Sequence, residues 1–185
     1  MTGLLIGDQF GELLRSATTA RRLETRLAYT LSPAEQDQEP SFLAGGLDAS
    51  PAFADWWVPW KAQVQRAIDE GGGYERVRVA ADPPTDYQRY ALWSSTFNVD
   101  AGETVLYLGR GAAAEVGVPD GDFWVLDHRT VLLMHFALDD VFLGATAVTD
   151  PEVVSYHDAW IDTAAAAAVP RDQYVLDEPS RAQPG

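Results

Sequence analysis

The fold is decided by the stretch DFWVLDHRTVLLMHF, residues 122–136. Its apolar runs, Phe123–Leu126 and Thr130–Phe136, are separated by a short polar turn, a pattern typical of two antiparallel strands in a hairpin. A further apolar segment follows a second turn and predicts a strand over residues 141–148. The three segments together predict an antiparallel meander.

Upstream of the meander, two more strands are predicted. RVRV, residues 76–79, alternates valine with arginine, so Glu75–Ala81 is expected to form a strand with one apolar and one charged face. Thr104–Leu108 has a similar strand pattern. Between them, Thr85 is a suitable N-cap for a short helix that runs to Leu92.

Helical spacing of apolar residues predicts three longer helices. They cover Asp8–Tyr29, Phe53–Glu70, and a last helix from residue 150 or 151 to about 168. Ser32–Pro51 is rich in proline, glycine and acidic residues, so it is expected to be a surface connection.

Length and element order predict the architecture. The chain has 185 residues, which suits one domain with a single core. We expect an α/β or α+β fold with a mixed, mainly antiparallel sheet of about five strands covered by helices. Residues 1–176 are predicted to form a single globular domain, and residues 177–185 a flexible C-terminal tail.

Composition excludes several classes of partner and chemistry. The net charge of -15 and the pI of about 4.3 disfavour nucleic acid and anionic membrane surfaces, so neither direct nucleic acid binding nor membrane binding is expected. A local basic patch still suits a small anionic ligand. The chain has no cysteine and no apparent signal peptide, which predicts a cytoplasmic protein.

Motifs for common catalytic sites are missing from the sequence. The three histidines match neither HExxH nor a two-histidine, one-carboxylate spacing, so no metal site is predicted. No GxSxG motif, phosphate-binding loop or dinucleotide-binding glycine pattern occurs either. The sequence therefore predicts no cofactor.

A set of polar and aromatic residues remains as a candidate ligand-binding face. Its members are Arg76, Arg78, Tyr87, Arg89, Tyr90 and Trp124. Arginine forks bind carboxylates or phosphates, and aromatic rings provide a flat apolar wall. The alternative is structural: the arginines pair with some of the 28 acidic residues, and the rings belong to the core.

His135 is the candidate for proton transfer. If it reaches Asp127 or Asp122 across the hairpin, such a pair has the chemistry of a small cofactor-free isomerase, cyclase or dehydratase. Whether this pair forms depends on the geometry of the fold.

The chain also resembles an actinobacterial domain-of-unknown-function family, number 6879, over about Phe10–Tyr174. The resemblance is carried by ARRLETRLAY (residues 20–29), WWVPW (56–60), RVRV (76–79), DYQRY (86–90), DFWVLD (122–127), VLLMHF (131–136), FLGA (142–145) and AVPRDQY (168–174). Members of that family often lie beside helix-turn-helix regulators, so the resemblance implies a regulatory neighbourhood.

A more distant likeness is to degenerate phospholipase D-like sensor domains. Phospholipase D chemistry needs a lysine two positions after the catalytic histidine, and Lys61 is the one lysine in the chain. The resemblance therefore favours a sensor over a phosphodiesterase.

Three functions follow as hypotheses. The favoured one is a noncatalytic regulatory or ligand-sensing module that acts with a helix-turn-helix partner. The second is a small cofactor-free enzyme of actinobacterial metabolism that uses His135 on a carboxylate-bearing substrate. The third is a protein-interaction domain with an exposed aromatic patch around Trp56, Trp57 and Trp60.

Overall fold

One open sheet of seven strands organises residues 3–177, the residues that this computed structural model describes. The strands are β1 (Thr19–Glu24), β2 (Gly73–Ala80), β3 (Thr104–Gly109), β4 (Phe123–Leu126), β5 (Thr130–Phe136), β6 (Phe142–Val148) and β7 (Val169–Pro170). The helices are α1 (Gly7–Ser16), α2 (Pro33–Leu43), α3 (Pro51–Asp69), α4 (Asp86–Asp100), α5 (Arg110–Glu115), α6 (Pro151–Ala167) and α7 (Arg171–Asp177).

The sheet is mixed, in the order β6-β5-β4-β1-β2-β3-β7. Strands β1, β2 and β3 are parallel neighbours, and the remaining pairs are antiparallel. The mixed α/β architecture is thus confirmed, and so is the meander of β4, β5 and β6. The strand number is only roughly matched, because the described residues form seven strands where about five were expected.

The prediction of one long helix over Asp8–Tyr29 is wrong. The helix ends at Ser16, and Thr19–Glu24 forms β1 at the centre of the sheet. Pairing with β2 on one side and β4 on the other stabilises this strand. The stabilisation from this nonlocal pairing outweighs the local helical spacing of the apolar residues.

The segment Ser32–Pro51 contains a helix where a connection was expected. Ser32 accepts a hydrogen bond from the backbone N–H of Glu35, and the Glu35 carboxylate accepts one from the backbone N–H of Ser32. This capping box, with Pro33 in the first turn, begins α2. The serine-to-glutamate spacing is the local signal that the proline-rich composition obscured.

Several other boundaries differ from the sequence-based prediction. Thr85 caps α4 as predicted, but the helix continues to Asp100 instead of ending at Leu92. Helices α5 and α7 and strand β7 were not predicted. Residues 178–185 of the expected tail lie outside the described residues, so the domain boundary stays a prediction.

Helices cover both faces of the sheet. On one face, α6 packs against a cluster that includes Leu23, Val77, Val125, Val154 and Ile161. On the other face, α1 and α3 pack against a cluster that includes Leu14, Val64, Tyr74, Trp124 and Leu132. Helix α4 lies beside α3 on this second face, above β3. Alternation along each strand therefore decides which side chains face α1, α3 and α4.

None of the helices within residues 3–177 has both the length and the apolar character needed to cross a membrane.

Candidate functional site

A cavity of about 360 Å³ lies between the second face of the sheet and helices α1, α3 and α4. Its floor is formed by Arg22 and Glu24 of β1, Arg76 and Arg78 of β2, and Trp124 of β4. Arg22 is in register with both Arg76 and Trp124, and Glu24 is in register with Arg78. Because alternate residues of a strand share a face, the five side chains point into one space.

Aromatic side chains form the walls of this cavity. They are Phe10 of α1, Trp56, Trp57 and Trp60 of α3, Tyr87 and Tyr90 of α4, Phe136 of β5, Phe142 of β6 and Tyr29. Such a lining, apolar with a few polar groups at one end, is typical of small-molecule sites.

Arg22, Arg76 and Arg78, here called the arginine row, share one buried carboxylate. Glu24 is 5% exposed and lies 3.0 Å from Nη1 of Arg22. It also accepts hydrogen bonds from Nη1 of Arg76, at 2.8 Å, and from Nε of Arg78. Burial opposes ionisation of Glu24, but the charges of Arg22, Arg78 and Arg76 outweigh it and hold the pKa of Glu24 below its usual range.

Glu103 connects the arginine row to the helices. One of its oxygens accepts a hydrogen bond from Nε of Arg76 at 2.7 Å. The other accepts from Nε1 of Trp60 at 3.1 Å and from Nδ2 of Asn98 at 2.6 Å. Since Trp60 lies on α3 and Asn98 on α4, this carboxylate fixes both helices over the floor.

The segment of residues 25–31 lies at the side of the cavity and is fastened to Asp122. Asp122 accepts from the backbone N–H of Thr25 at 2.8 Å, from the Thr25 hydroxyl at 3.1 Å, and from the Tyr29 hydroxyl. Burial raises the pKa of Asp122, against the opposing effects of Arg22 and of the Tyr29 hydrogen bond. Arg26 of the same segment pairs with Asp140.

Buried donors without a partner are concentrated in residues that line this cavity. Among the described residues, five buried side-chain nitrogen or oxygen atoms have no hydrogen-bond partner. Four of them belong to residues that line the cavity: Nε of Arg22, Nε1 of Trp57, the hydroxyl of Tyr90 and Nε1 of Trp124. Each can donate a hydrogen bond, and nearly all such groups are paired in native proteins.

Comparison with protein families places the chain in one of them. The profile of a family described as a domain of unknown function, DUF6879, matches residues 8–176. The chain belongs to the DUF6879 family. The resemblance stated from the sequence motifs is confirmed in that respect. No curated protein matches the chain.

Among solved structures, the DUF6879 chain is similar to that of TrmBL2, an archaeal chromatin protein with a novel mode of DNA binding. The identity is 12% and the TM-score 0.44, over 85% of this chain and 48% of that protein. The DUF6879 chain thus spans about half the length of that protein.

This finding corrects the expectation that the chain has no direct nucleic acid partner. The exclusion rested on the net charge of -15, and the similar structure is a chromatin protein that binds DNA. Overall charge does not describe a local surface, so the exclusion is withdrawn. A similarity at this TM-score carries no argument about what the DUF6879 chain itself binds.

Five of the six ligand-binding candidates lie at the cavity in this DUF6879 chain. They are Arg76, Arg78, Tyr87, Tyr90 and Trp124. Arg89 is not among the lining residues. It donates to the backbone oxygen of Pro84 at 2.8 Å and to Asp86 at 2.6 Å in the first turn of α4.

The three proton-transfer candidates are not brought together. His135 lies on the face of β5 opposite the cavity-lining Met134, and its Nε2 contacts the Thr146 hydroxyl at 2.9 Å. Asp127 accepts from the backbone N–H groups of Thr18 and Thr19, at 2.9 and 2.7 Å. The structure therefore pairs His135 with neither Asp127 nor Asp122.

Residues 3–177 hold no group of three or more histidine, cysteine, aspartate or glutamate side chains that is arranged to bind a metal ion.

Sequence reasoning missed several polar residues of the site, among them Arg22, Glu24, Tyr29 and Glu103. Arg22 and Glu24 fall within the helix that was predicted over Asp8–Tyr29. In β1 they share a face with Ala20, and the pairing of β1 with β2 and β4 places them there. Tyr29 has no local signal, because its partner Asp122 lies 93 residues away. Glu103 is joined to the site by Arg76 and Trp60, which lie 27 and 43 residues away.

Proposed function

We propose that this DUF6879 chain is a noncatalytic ligand-sensing module whose small-molecule ligand binds in the cavity above the arginine row. One observation carries the proposal: four of five buried unpaired polar atoms among the described residues belong to residues that line this cavity. The volume of about 360 Å³ lies within the range of about 300–1,000 Å³ that is usual for ligand pockets.

The free-energy cost of the unpaired buried donors distinguishes a ligand site from a purely structural role. A buried donor without a partner costs about 1–3 kcal/mol. Phenylalanine at Tyr90 would fill nearly the same space without that cost, so packing alone does not account for the Tyr90 hydroxyl. Acceptor atoms of a ligand would satisfy donors at the cavity wall once the side chains adjust to it.

The regulatory part of the proposal rests on the resemblance stated above. In this proposal, the chain works in the cytoplasm of an actinobacterium beside a helix-turn-helix regulator. The likeness to degenerate phospholipase D-like sensor domains agrees with a sensing role. The 25–31 segment offers a route for coupling. Its Tyr29 and Thr30 line the cavity, and Arg26 and Thr30 contact Asp140 of the turn between β5 and β6, which also lines it.

The two other hypotheses lack comparable support. The cofactor-free enzyme needs His135 beside a carboxylate, and His135 contacts Thr146 on the other face of the sheet. The interaction domain needs an exposed patch of tryptophans. Trp56 is 40% exposed, whereas Trp57 and Trp60 are partly buried. All three line the cavity.

The proposal predicts a small molecule that copurifies with the protein. Native mass spectrometry of protein purified from its own host is expected to show a bound species of defined mass. Ser94→Phe places a ring in the cavity and should abolish that species, since Ser94 lines the cavity and is 6% exposed.

The matched control is Ala159→Phe, which adds the same ring at an exposed position of α6 on the opposite face. It should retain the bound species. Circular dichroism checks that both variants are folded. A species that survives in folded Ser94→Phe, or that is missing from the wild-type protein, would contradict the proposal.

A further inference from the structure

We infer that the ligand is a flat aromatic acid whose carboxylate binds Arg22. This inference rests on the proposed function, and it adds the class of ligand and the residue that recognises it.

The hydrogen-bonding inventory of the cavity defines the first property of the ligand. The four unpaired atoms at the lining residues are all able to donate, and three of them, on arginine and tryptophan, can only donate. The lining carboxylates are those of Glu24, Glu35 and Asp140. They already accept from Arg76 and Arg78, from the backbone N–H of Ser32, and from Arg26, respectively. The lining side chains of Ser94 and Asn98 donate to Ala91 and Glu103. A complementary ligand therefore supplies acceptors.

Arg22 differs from the other two members of the arginine row in how its charge is compensated. Arg76 uses Nε and Nη1 in hydrogen bonds to Glu103 and Glu24. Arg78 uses Nε for Glu24, and Nη1 for the Ala91 carbonyl at 2.9 Å and the Tyr107 hydroxyl at 3.2 Å. These two arginines are held by several partners each.

Within residues 3–177, Arg22 forms no side-chain hydrogen bond, and its ion-pair contacts are at 3.0 Å to Glu24 and 4.0 Å to Asp122. Glu24 divides its single charge among three guanidiniums, and Asp122 is occupied by Thr25 and Tyr29. Nε of Arg22 has no partner. The guanidinium carbon also lies 5.1 Å from the centroid of the Trp124 ring, a residue of the cavity floor.

A carboxylate is the acceptor that best fits this arrangement. A guanidinium fork binds the two oxygens of a carboxylate in one plane, and a hydrogen bond between charged groups is about twice as strong as a neutral one. A cationic ligand group would instead be placed among three guanidiniums.

The walls of the cavity define the flat aromatic part of the ligand. The rings of α3 and α4 favour a flat apolar body, because aromatic rings gain from offset or edge contacts. The volume of about 360 Å³ is near the lower end of the range for ligand pockets, which suits one or two fused rings.

The test uses three probes that share a naphthalene ring and differ in charge: naphthoate, naphthamide and naphthylmethylammonium. Isothermal titration calorimetry on the full-length protein is expected to show binding of naphthoate, with naphthamide weaker by about tenfold or more, a difference of about 1.4 kcal/mol. The ammonium probe should not bind.

Arg22→Gln should reduce naphthoate binding to the level of naphthamide. The matched control is Arg21→Gln, the neighbouring residue on the opposite face. Arg21 forms ion pairs with Glu75, Asp158 and Asp162 at 2.9, 3.1 and 2.7 Å, and its loss should leave naphthoate binding unchanged. If Arg22→Gln is not folded by circular dichroism, Arg22→Lys replaces it, which keeps the charge but lacks the fork and should also weaken binding.

Equal binding of the amide or ammonium probe would overturn the assignment, as would unchanged naphthoate binding in the folded Arg22 variant. Binding of none of the probes would overturn it too. None of these outcomes decides whether a ligand exists, because the copurified species in native mass spectrometry tests that separately.

Discussion

Glu24→Gln is expected to lower the free energy of unfolding by about 3–5 kcal/mol. The substitution keeps the shape of the side chain but removes the negative charge that Arg22, Arg76 and Arg78 share. Those guanidiniums then stay buried without a common counter-ion, since Glu24 is 5% exposed. Urea denaturation followed by tryptophan fluorescence measures the loss.

Glu75→Gln is the matched control for this prediction. Glu75 lies on β2 next to Arg76, on the other face, and its side chain is 27% exposed. It pairs with Arg21 at 2.9 Å, and a pair of this exposure contributes about 0–1 kcal/mol. Equal losses in the two variants would contradict a special role for the buried carboxylate.

The same carboxylate makes stability depend on pH. The pKa of Glu24 is lower in the folded protein than its ordinary value of 4.5, so its contribution is complete above about 4.5 and is lost as the pH falls towards the folded pKa. Asp122 has a raised pKa and acts in the opposite direction.

We therefore expect the unfolding free energy of the wild-type protein to fall more steeply below pH 4.5 than that of Glu24→Gln. Urea denaturation of both proteins at a series of acidic pH values makes the comparison. Parallel curves would show that Glu24 does not ionise with a lowered pKa.

Phe53→Ala is expected to lower the free energy of unfolding by about 3–5 kcal/mol, because it removes a ring from the centre of a buried cluster. Phe53 is fully buried, and its ring centroid lies 5.3 Å from that of Phe97 and 5.6 Å from that of Trp93, both on α4. The ring thus holds α3 against α4, the two helices that wall the cavity. Urea denaturation provides the measurement.

Val58→Ala is the control on the same helix. Val58 is 60% exposed, so its loss should change the free energy of unfolding by less than about 0.5 kcal/mol. A small effect of Phe53→Ala, similar to that of Val58→Ala, would mean that the aromatic cluster does not hold the two helices together.

The parts of the fold that could be predicted are those whose signals are local. The meander of β4, β5 and β6 follows from apolar runs and turns, and α3 and α6 follow from helical spacing. Strand β1 could not be recognised in this way. Its sequence TARRLE has arginine on both faces, and its stability comes from β2 and β4, which lie far away in the chain.

The residues of the candidate site could likewise be predicted only where their strand has a local signal. Arg76 and Arg78 could be predicted to share a face because the sequence indicates a strand at β2. Trp124 could be placed on a strand because β4 was also predicted. Arg22 and Glu24 were assigned to a helix, so their position between β2 and β4 was not predicted. His135 shows the converse: its strand was predicted, but the partner on its face is Thr146 of β6 rather than an acid.

A crystal structure of the protein purified from its own host tests directly whether a small-molecule ligand occupies the cavity. The account predicts electron density for a small organic molecule in the cavity, with acceptor atoms within hydrogen-bonding distance of Arg22 and aromatic contacts to the tryptophans of α3. Density for ordered water alone, with the donors of Arg22, Trp57, Tyr90 and Trp124 each bonded to water or protein, would contradict it.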